Sequence, residues 1–180
     1  YLMQTLGGDL TADALKALQA DPAAFIAKAD VSNRAQRELV AYAYGRWARL
    51  DLVAASTQLT AQAEALADQA PVAWRHVALA AARSFDANSE TYFQRSEAAF
   101  WPDNHRENRL RLSVRFGDWT LYQKLYQALP ARLQDSRPWL YWQGVASNEL
   151  GQKRAADYIF VHLAHEDDYY GLLAAERVGD

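Results

Sequence analysis

Apolar residues recur along this chain at the three- and four-residue spacings of amphipathic helices, and no stretch sustains the period-two alternation of a strand. Four stretches lie over one another: "AYAYGRWARLD" ending at Asp51, "RHVALAAARSFD" at Asp86, "NRLRLSVRFGD" at Asp118 and "YWQGVASNELGQ" at Gln152. Their ends are 35, 32 and 34 residues apart. Each is followed by a second helical stretch, from "LVAASTQLTAQAEAL" to "KRAADYIFVHLA", with Asp or Gly-Gln at the joint. A helix–turn–helix unit recurring at about 34 residues is the signature of stacked repeats in which neighbours complete each other's core. The pattern predicts an all-α fold: a right-handed superhelix of antiparallel helix pairs, a tetratricopeptide-like solenoid. It is expected to form a single domain over residues 1–180, with repeat joints near 51, 86, 118 and 152.

The five prolines, Pro22, Pro71, Pro102, Pro130 and Pro138, fall between periodic stretches, where proline is suited to a first helical turn. The last unit fits the repeat best. There "ELGQKRAADYIF" sets Gly151 at the tight turn and small Ala155 and Ala156 where the two helices should approach. The closing stretch "DDYYGLLAAERVGD" is apolar almost all round a helix, a pattern expected of an element covered on more than one side. Two readings stand: an inner helix stacked on Tyr158, Ile159 and Leu163 and awaiting a further neighbour, or a cap that leaves Leu172 partly wet.

Composition narrows the function classes. The 180 residues are 51% hydrophobic, with 6 Trp and 10 Tyr, which is a folding composition. A net charge of −3 argues against nucleic acid as a partner. The locally basic run "RENRLRLSVR" sets Arg106 and Arg109 opposite Arg111 and Arg115, predicting two solvated edges instead of one patch. Cysteine is absent, which removes disulfides, thiolate metal sites and cysteine nucleophiles together. No run approaches a membrane span, and the chain opens on Tyr1, the mark of a processed or excised piece.

Candidate chemistry is sparse. His162 and His165, three apart and followed by Glu166 and Asp167, form the one metal-like spacing, but two histidines at a helix C-terminus are also favoured by the helix dipole. His76 and His105 have no evident sequence partner. Glu97, Glu149 and Glu176 lack the flexible, glycine-bearing loops of catalytic carboxylates, and Glu176 is expected to pair with a nearby cation such as Arg177. No phosphate loop, nucleophile elbow or dinucleotide fingerprint occurs. No catalytic, cofactor or metal site is therefore expected.

Aromatic residues remain. Trp139, Trp142, Ala146 and Leu150 make one helical stripe, expected as a core seam, whereas Tyr141 points elsewhere. With Trp119 and Tyr122 of the preceding unit, Tyr141 is a candidate for contacting a glycan or a partner, because aromatic faces stack on sugars and grip side chains; packing between helices is the competing reading.

Residues 136–179, "SRPWLYWQGVASNELGQKRAADYIFVHLAHEDDYYGLLAAERVG", resemble the superhelical region of soluble lytic murein transglycosylases. Trp139, Tyr141, Trp142, Gly151, Ala155, Leu163, Tyr169, Tyr170, Gly171, Ala174, Ala175 and Gly179 carry the resemblance across three consecutive helices. It implies a periplasmic ring of helices belonging to a longer chain, in which a C-terminal lysozyme-like domain cleaves peptidoglycan with one Glu and forms a 1,6-anhydro sugar. It also implies glycan strands, and cell-wall proteins, as partners. The Glu-Ser dipeptide and "GLMQ"-type stretch of that catalytic domain are not found; "YLMQTL" at residues 1–6 is similar only by coincidence. No catalytic residue carries over. The resulting expectation is a non-catalytic scaffold segment of a polysaccharide lyase, inactive alone, and the alternative is a freestanding adaptor that binds a protein or peptide in its groove.

Overall fold

The computed structural model describes residues 11–179, so "YLMQTL" lies outside the described residues. Among the described residues every regular element is helical. Helices α1 (Ala12–Ala20), α2 (Pro22–Lys28), α3 (Arg34–Leu50), α4 (Leu52–Leu66), α5 (Ala70–Arg83) and α6 (Ser89–Arg95) precede α7 (Asp103–Phe116), α8 (Trp119–Gln127), α9 (Ala131–Gln134), α10 (Arg137–Glu149), α11 (Lys153–Leu163) and α12 (Tyr169–Gly179). Among the described residues the chain, expected as one domain, divides into two compact units, one ending at Pro102 and the other beginning at Asp103. Helices in an array touch chiefly their neighbours, so few packing contacts oblige such a chain to form a single core.

Each of the four joints stands between two helices, and local chemistry places it there. Asp51 closes α3 and opens α4 in one residue, its carboxylate accepting the Ala54 N–H at 2.9 Å. Asp118 caps α8 in the same way, through Leu121. Three of the joints share one turn geometry. After α5, α7 and α10 the chain makes a pair of reversed bonds: Asp86 N–H to Ala81 and Phe85 to Ala82, Asp118 to Ser113 and Gly117 to Val114, Gln152 to Ser147 and Gly151 to Asn148. This is the Schellman ending, which needs a left-handed residue just past the helix. Gly117 (φ 65°) and Gly151 (φ 75°) supply it at little cost, whereas the second joint uses Phe85 (φ 55°).

That difference can be measured. No atom lies within 4 Å of the position a Gly151 Cβ would occupy, so Gly151→Val should cost only its backbone strain, about 1 to 2 kcal/mol. Phe85 is 53% exposed, and Phe85→Gly should raise stability by up to about 1 kcal/mol as the same strain is released. Thermal melts that move in the same direction for both substitutions would contradict this account of the joints.

The second stretch of the second repeat is shorter than its apolar run suggests. Helix α6 stops at Arg95, where the buried Ser96 hydroxyl donates to the Phe93 carbonyl and the Trp101 indole N–H donates to the Ser96 carbonyl. In the first unit the core is built from α1 to α5, with Leu18, Val40, Tyr44, Leu59, Leu66 and Val77 fully enclosed.

The second unit has two apolar clusters. One gathers Leu110, Tyr122, Leu129, Trp139 and Ala146, and the other Tyr141, Val145, Ala156, Phe160, Leu163 and Ala174, with Trp119 and Trp142 packed against both. Of the two alanines expected at the close helix crossing, Ala156 is buried and Ala155 is exposed. Gly144 of α10 is the residue that admits α11, since a Cβ there would stand 2.7 Å from the Phe160 ring. Ile159 and Leu163 belong to the cluster that also holds Ala174 of α12, while Tyr158 is 76% exposed because the helical turn carries it to the opposite face.

Candidate functional site

Helix α7 presents Glu107, Arg111 and Val114 at i, i+4 and i+7, so the three share one helix face. Opposite them α10 brings Trp139 and Trp142, its first turn adds Pro138 behind Ser136, and α12 contributes Tyr170. Together they enclose a groove of about 360 Å³ in the second unit. Its aromatic wall is rigid. The buried Trp139 indole donates to Glu107 Oε1 at 3.0 Å, and the Arg111 guanidinium lies 5.2 Å from the Trp139 ring centroid. Trp142 stacks on Trp119 at 6.3 Å with 16° between planes, and Tyr141 meets both Trp142 and Tyr170.

The groove therefore offers aromatic surface on one side and a cation beside an acceptor on the other. Such a mixture suits a ligand with flat apolar faces and polar edges. One carboxylate lines it, already engaged by an indole N–H, and no second acid stands beside it to form a general acid–base pair.

The residues singled out from the sequence are distributed unevenly about it. Trp119 is half-buried behind Trp142. Tyr122 is fully buried, its hydroxyl donating to the Trp139 carbonyl at 2.6 Å, and burial, aided by Tyr126, raises its ionisation well above the ordinary range. Tyr141 is also buried, packed on Phe160 and Tyr170. Tyr122 and Tyr141 are thus core residues, a correction to their candidacy as ligand contacts: the helices that flank them in three dimensions cover the faces that one-dimensional periodicity left open. The stripe of Trp139, Trp142 and Ala146 lies inward, but Leu150, at the helix end, is 39% exposed.

The groove's polar residues, Glu107 and Arg111, were missed. Their i, i+4 spacing is the available signal, hidden among the charges of the surrounding run. That run also needs correction: Arg109 is buried and Arg111 lies across Trp139, so the two edges are not both solvated. Helix α7 buries Arg109 together with Leu110, Leu112 and Ser113, which encloses the arc assigned to water.

Elsewhere, His162 and His165 are exposed, and among the described residues no three His, Cys, Asp or Glu side chains gather as a metal site. His76 is half-buried, edge-on to Tyr42 at 6.0 Å, and His105 is half-buried on α7. Glu97, Glu149 and Glu176 are all exposed. Arg177 lies 5.9 Å from the Phe160 ring centroid in place of the expected pairing with Glu176. No helix of the described residues is long and apolar enough to cross a membrane.

This arrangement of helices recurs in solved proteins. An inactive variant of the lytic transglycosylase Slt from Pseudomonas aeruginosa matches 93% of this chain with a TM-score of 0.77 and 24% identity. The chain shares the fold of part of a lytic transglycosylase. The 70-kDa soluble lytic transglycosylase Slt70 from Escherichia coli matches the same share with a TM-score of 0.69 and 22% identity, and the 70-kDa soluble lytic transglycosylase in complex with bulgecin A gives 0.68 and 23%. The chain spans 28% of the length of each. The resemblance carried by residues 136–179 thus extends, as fold, over most of the chain. No protein-family model and no curated protein sequence matches it.

Proposed function

We propose that this chain is a non-catalytic helical scaffold segment of a periplasmic lytic transglycosylase, and that it contacts peptidoglycan glycan strands while a separate domain cleaves them with 1,6-anhydro product formation. The observation that carries the reading is the fold match over 93% of this chain and 28% of the Pseudomonas aeruginosa protein. The groove walled by Trp139, Trp142 and Tyr170 supports it, because aromatic side chains beside a cation and an acceptor suit the apolar faces and hydroxyl edges of sugar rings.

Two measurements test it together. The chain should co-sediment with purified murein sacculi, with retention lowered by Trp142→Ala or Arg111→Ala. It should release no soluble anhydro-muropeptides on chromatography above a heat-killed control. Release of such products would end the scaffold reading. Failure to co-sediment would remove the glycan contact and favour an adaptor for a protein partner.

A further inference from the structure

Helices α4 and α6 of the first unit border a second groove, of about 310 Å³, which the reading above does not use. Its lining holds hydroxyls, an amide and one cation, and no carboxylate, in a chain with 22 Asp and Glu. The cation is held in place. The Arg95 guanidinium lies 4.6 Å from the Trp74 ring centroid, and its Nη1 donates to Thr60 Oγ1 at 3.1 Å. Trp74 in turn stacks on Tyr92 at 5.6 Å with 15° between planes.

The direction of the hydrogen bonds decides what the groove presents. Ser56 and Thr60 donate their hydroxyl protons backward along α4, to the Val53 and Ser56 carbonyls. Their oxygens then act as acceptors, Ser56 from the Tyr92 hydroxyl at 3.4 Å and Thr60 from Arg95. A guanidinium has five N–H donors, so this anchoring leaves others for a ligand. Thr57, Asn88 and Thr91 are exposed at the same groove and can both donate and accept. A fixed guanidinium in a groove lined by no carboxylate selects an oxyanion, and hydroxyl and amide groups beside it select a ligand whose anion is surrounded by further polar groups.

We infer that this groove binds a saccharide bearing a carboxylate, the carboxylate meeting Arg95 and the ring's hydroxyl or acetamido groups meeting Thr57, Asn88 and Thr91. The choice of a sugar acid over other carboxylates rests on the glycan-contacting reading above; the preference for an anion rests on the groove alone.

The test uses the full chain and three probes, followed by amide shifts in nuclear magnetic resonance titrations. N-acetylmuramic acid should shift amides within 56–60 and 88–95. N-acetylglucosamine, the same ring without the carboxylate, and N-acetyl-alanine, a carboxylate without the ring, should each bind at least about tenfold more weakly. Arg95→Gln should abolish the preference for the acid, and Arg95→Lys, which keeps the charge without the planar fork, should retain part of it. Thermal melts of both variants establish that they fold, and if Arg95→Gln does not, Thr91→Ala replaces it, with weaker binding of the two ring-bearing probes, N-acetylmuramic acid and N-acetylglucosamine, expected.

Equal binding of N-acetylmuramic acid and N-acetylglucosamine overturns the proposal, as does a preference that survives Arg95→Gln. Equal binding of N-acetyl-alanine overturns the sugar component. Co-sedimentation with sacculi combined with no selective response would leave the scaffold reading standing without this site. A selective response without co-sedimentation would do the reverse.

Discussion

Tyr122→Ala is expected to lower the stability of the second unit by about 4 kcal/mol. The ring is fully enclosed among Leu110, Leu129, Trp139 and Ala146 and stacks on Tyr126 at 6.0 Å with 19° between planes. Removing it leaves a cavity that α7, α8 and α10 can close only in part, because each is held by its own contacts. It also strips the hydroxyl from the Trp139 carbonyl, which it reaches at 2.6 Å. Tyr122→Phe separates the two contributions: it keeps the volume and loses the bond, and should cost about 1 to 2 kcal/mol. Urea unfolding of the three proteins measures both steps. Because Trp139 lines the groove, Tyr122→Ala should also weaken retention on murein sacculi. A Tyr122→Ala midpoint within error of the parent would show that the cluster is not the core of this unit.

The same residue shows how far the sequence could be read. Helix positions and joints were legible because they are written locally: Asp51 and Asp118 cap helices with their own carboxylates, and Gly117 and Gly151 take the left-handed turn that other residues resist. Asp86 was found by alignment with those joints, although Phe85 occupies the glycine's place, so the period survived where the local signal did not. Inward and outward faces were less legible. A helix in an array can be covered on two sides, and its own spacing records one apolar stripe without saying how wide the cover is. Tyr122 and Tyr141 fell on arcs that looked free and are enclosed by neighbours. Of the small pair expected at the close crossing, Ala156 is buried and Ala155 is exposed, and the approach of Phe160 requires Gly144, one helix earlier. The groove was least legible, since Glu107, Arg111, Trp139 and Tyr170 come from three helices and converge only in the fold.

The final helix provides the other large effect. Gly171→Ala is expected to cost about 3 kcal/mol, felt mainly as undocking of α12. A Cβ on Gly171 would stand 2.8 Å from the Glu166 carbonyl carbon and nearer still to its oxygen, and 3.1 Å from the Leu163 carbonyl oxygen. These are backbone atoms of the turn leading into the helix, so no rotamer change makes room. The glycine therefore admits the preceding turn. That turn is fixed at both ends, Arg137 pairing with Glu166 and with Asp168, the latter at 2.9 Å, while Asp168 caps α12 through the Gly171 N–H at 2.9 Å. The Gly171 N–H, and then Arg137, hold the Asp168 carboxyl below its ordinary value of 3.8. A depressed carboxyl stabilises the fold above its ordinary value and ceases to as the pH falls through the lowered one, so α12 should loosen in acid before it does at neutral pH. Gly171→Ala should reproduce that loosening at pH 7, with hydrogen exchange accelerated from Leu172 to Val178 and little change in helix content elsewhere. Leu172→Glu is the contrasting variant: Leu172 is 68% exposed and its replacement should shift stability by no more than about 0.5 kcal/mol. Leu173, partly buried against the α10–α11 cluster, should respond to Glu with the same loss of protection as Gly171→Ala. Unaltered exchange in Gly171→Ala, or a Leu172→Glu variant that unfolds the terminus, would place the covered face of α12 on the other side.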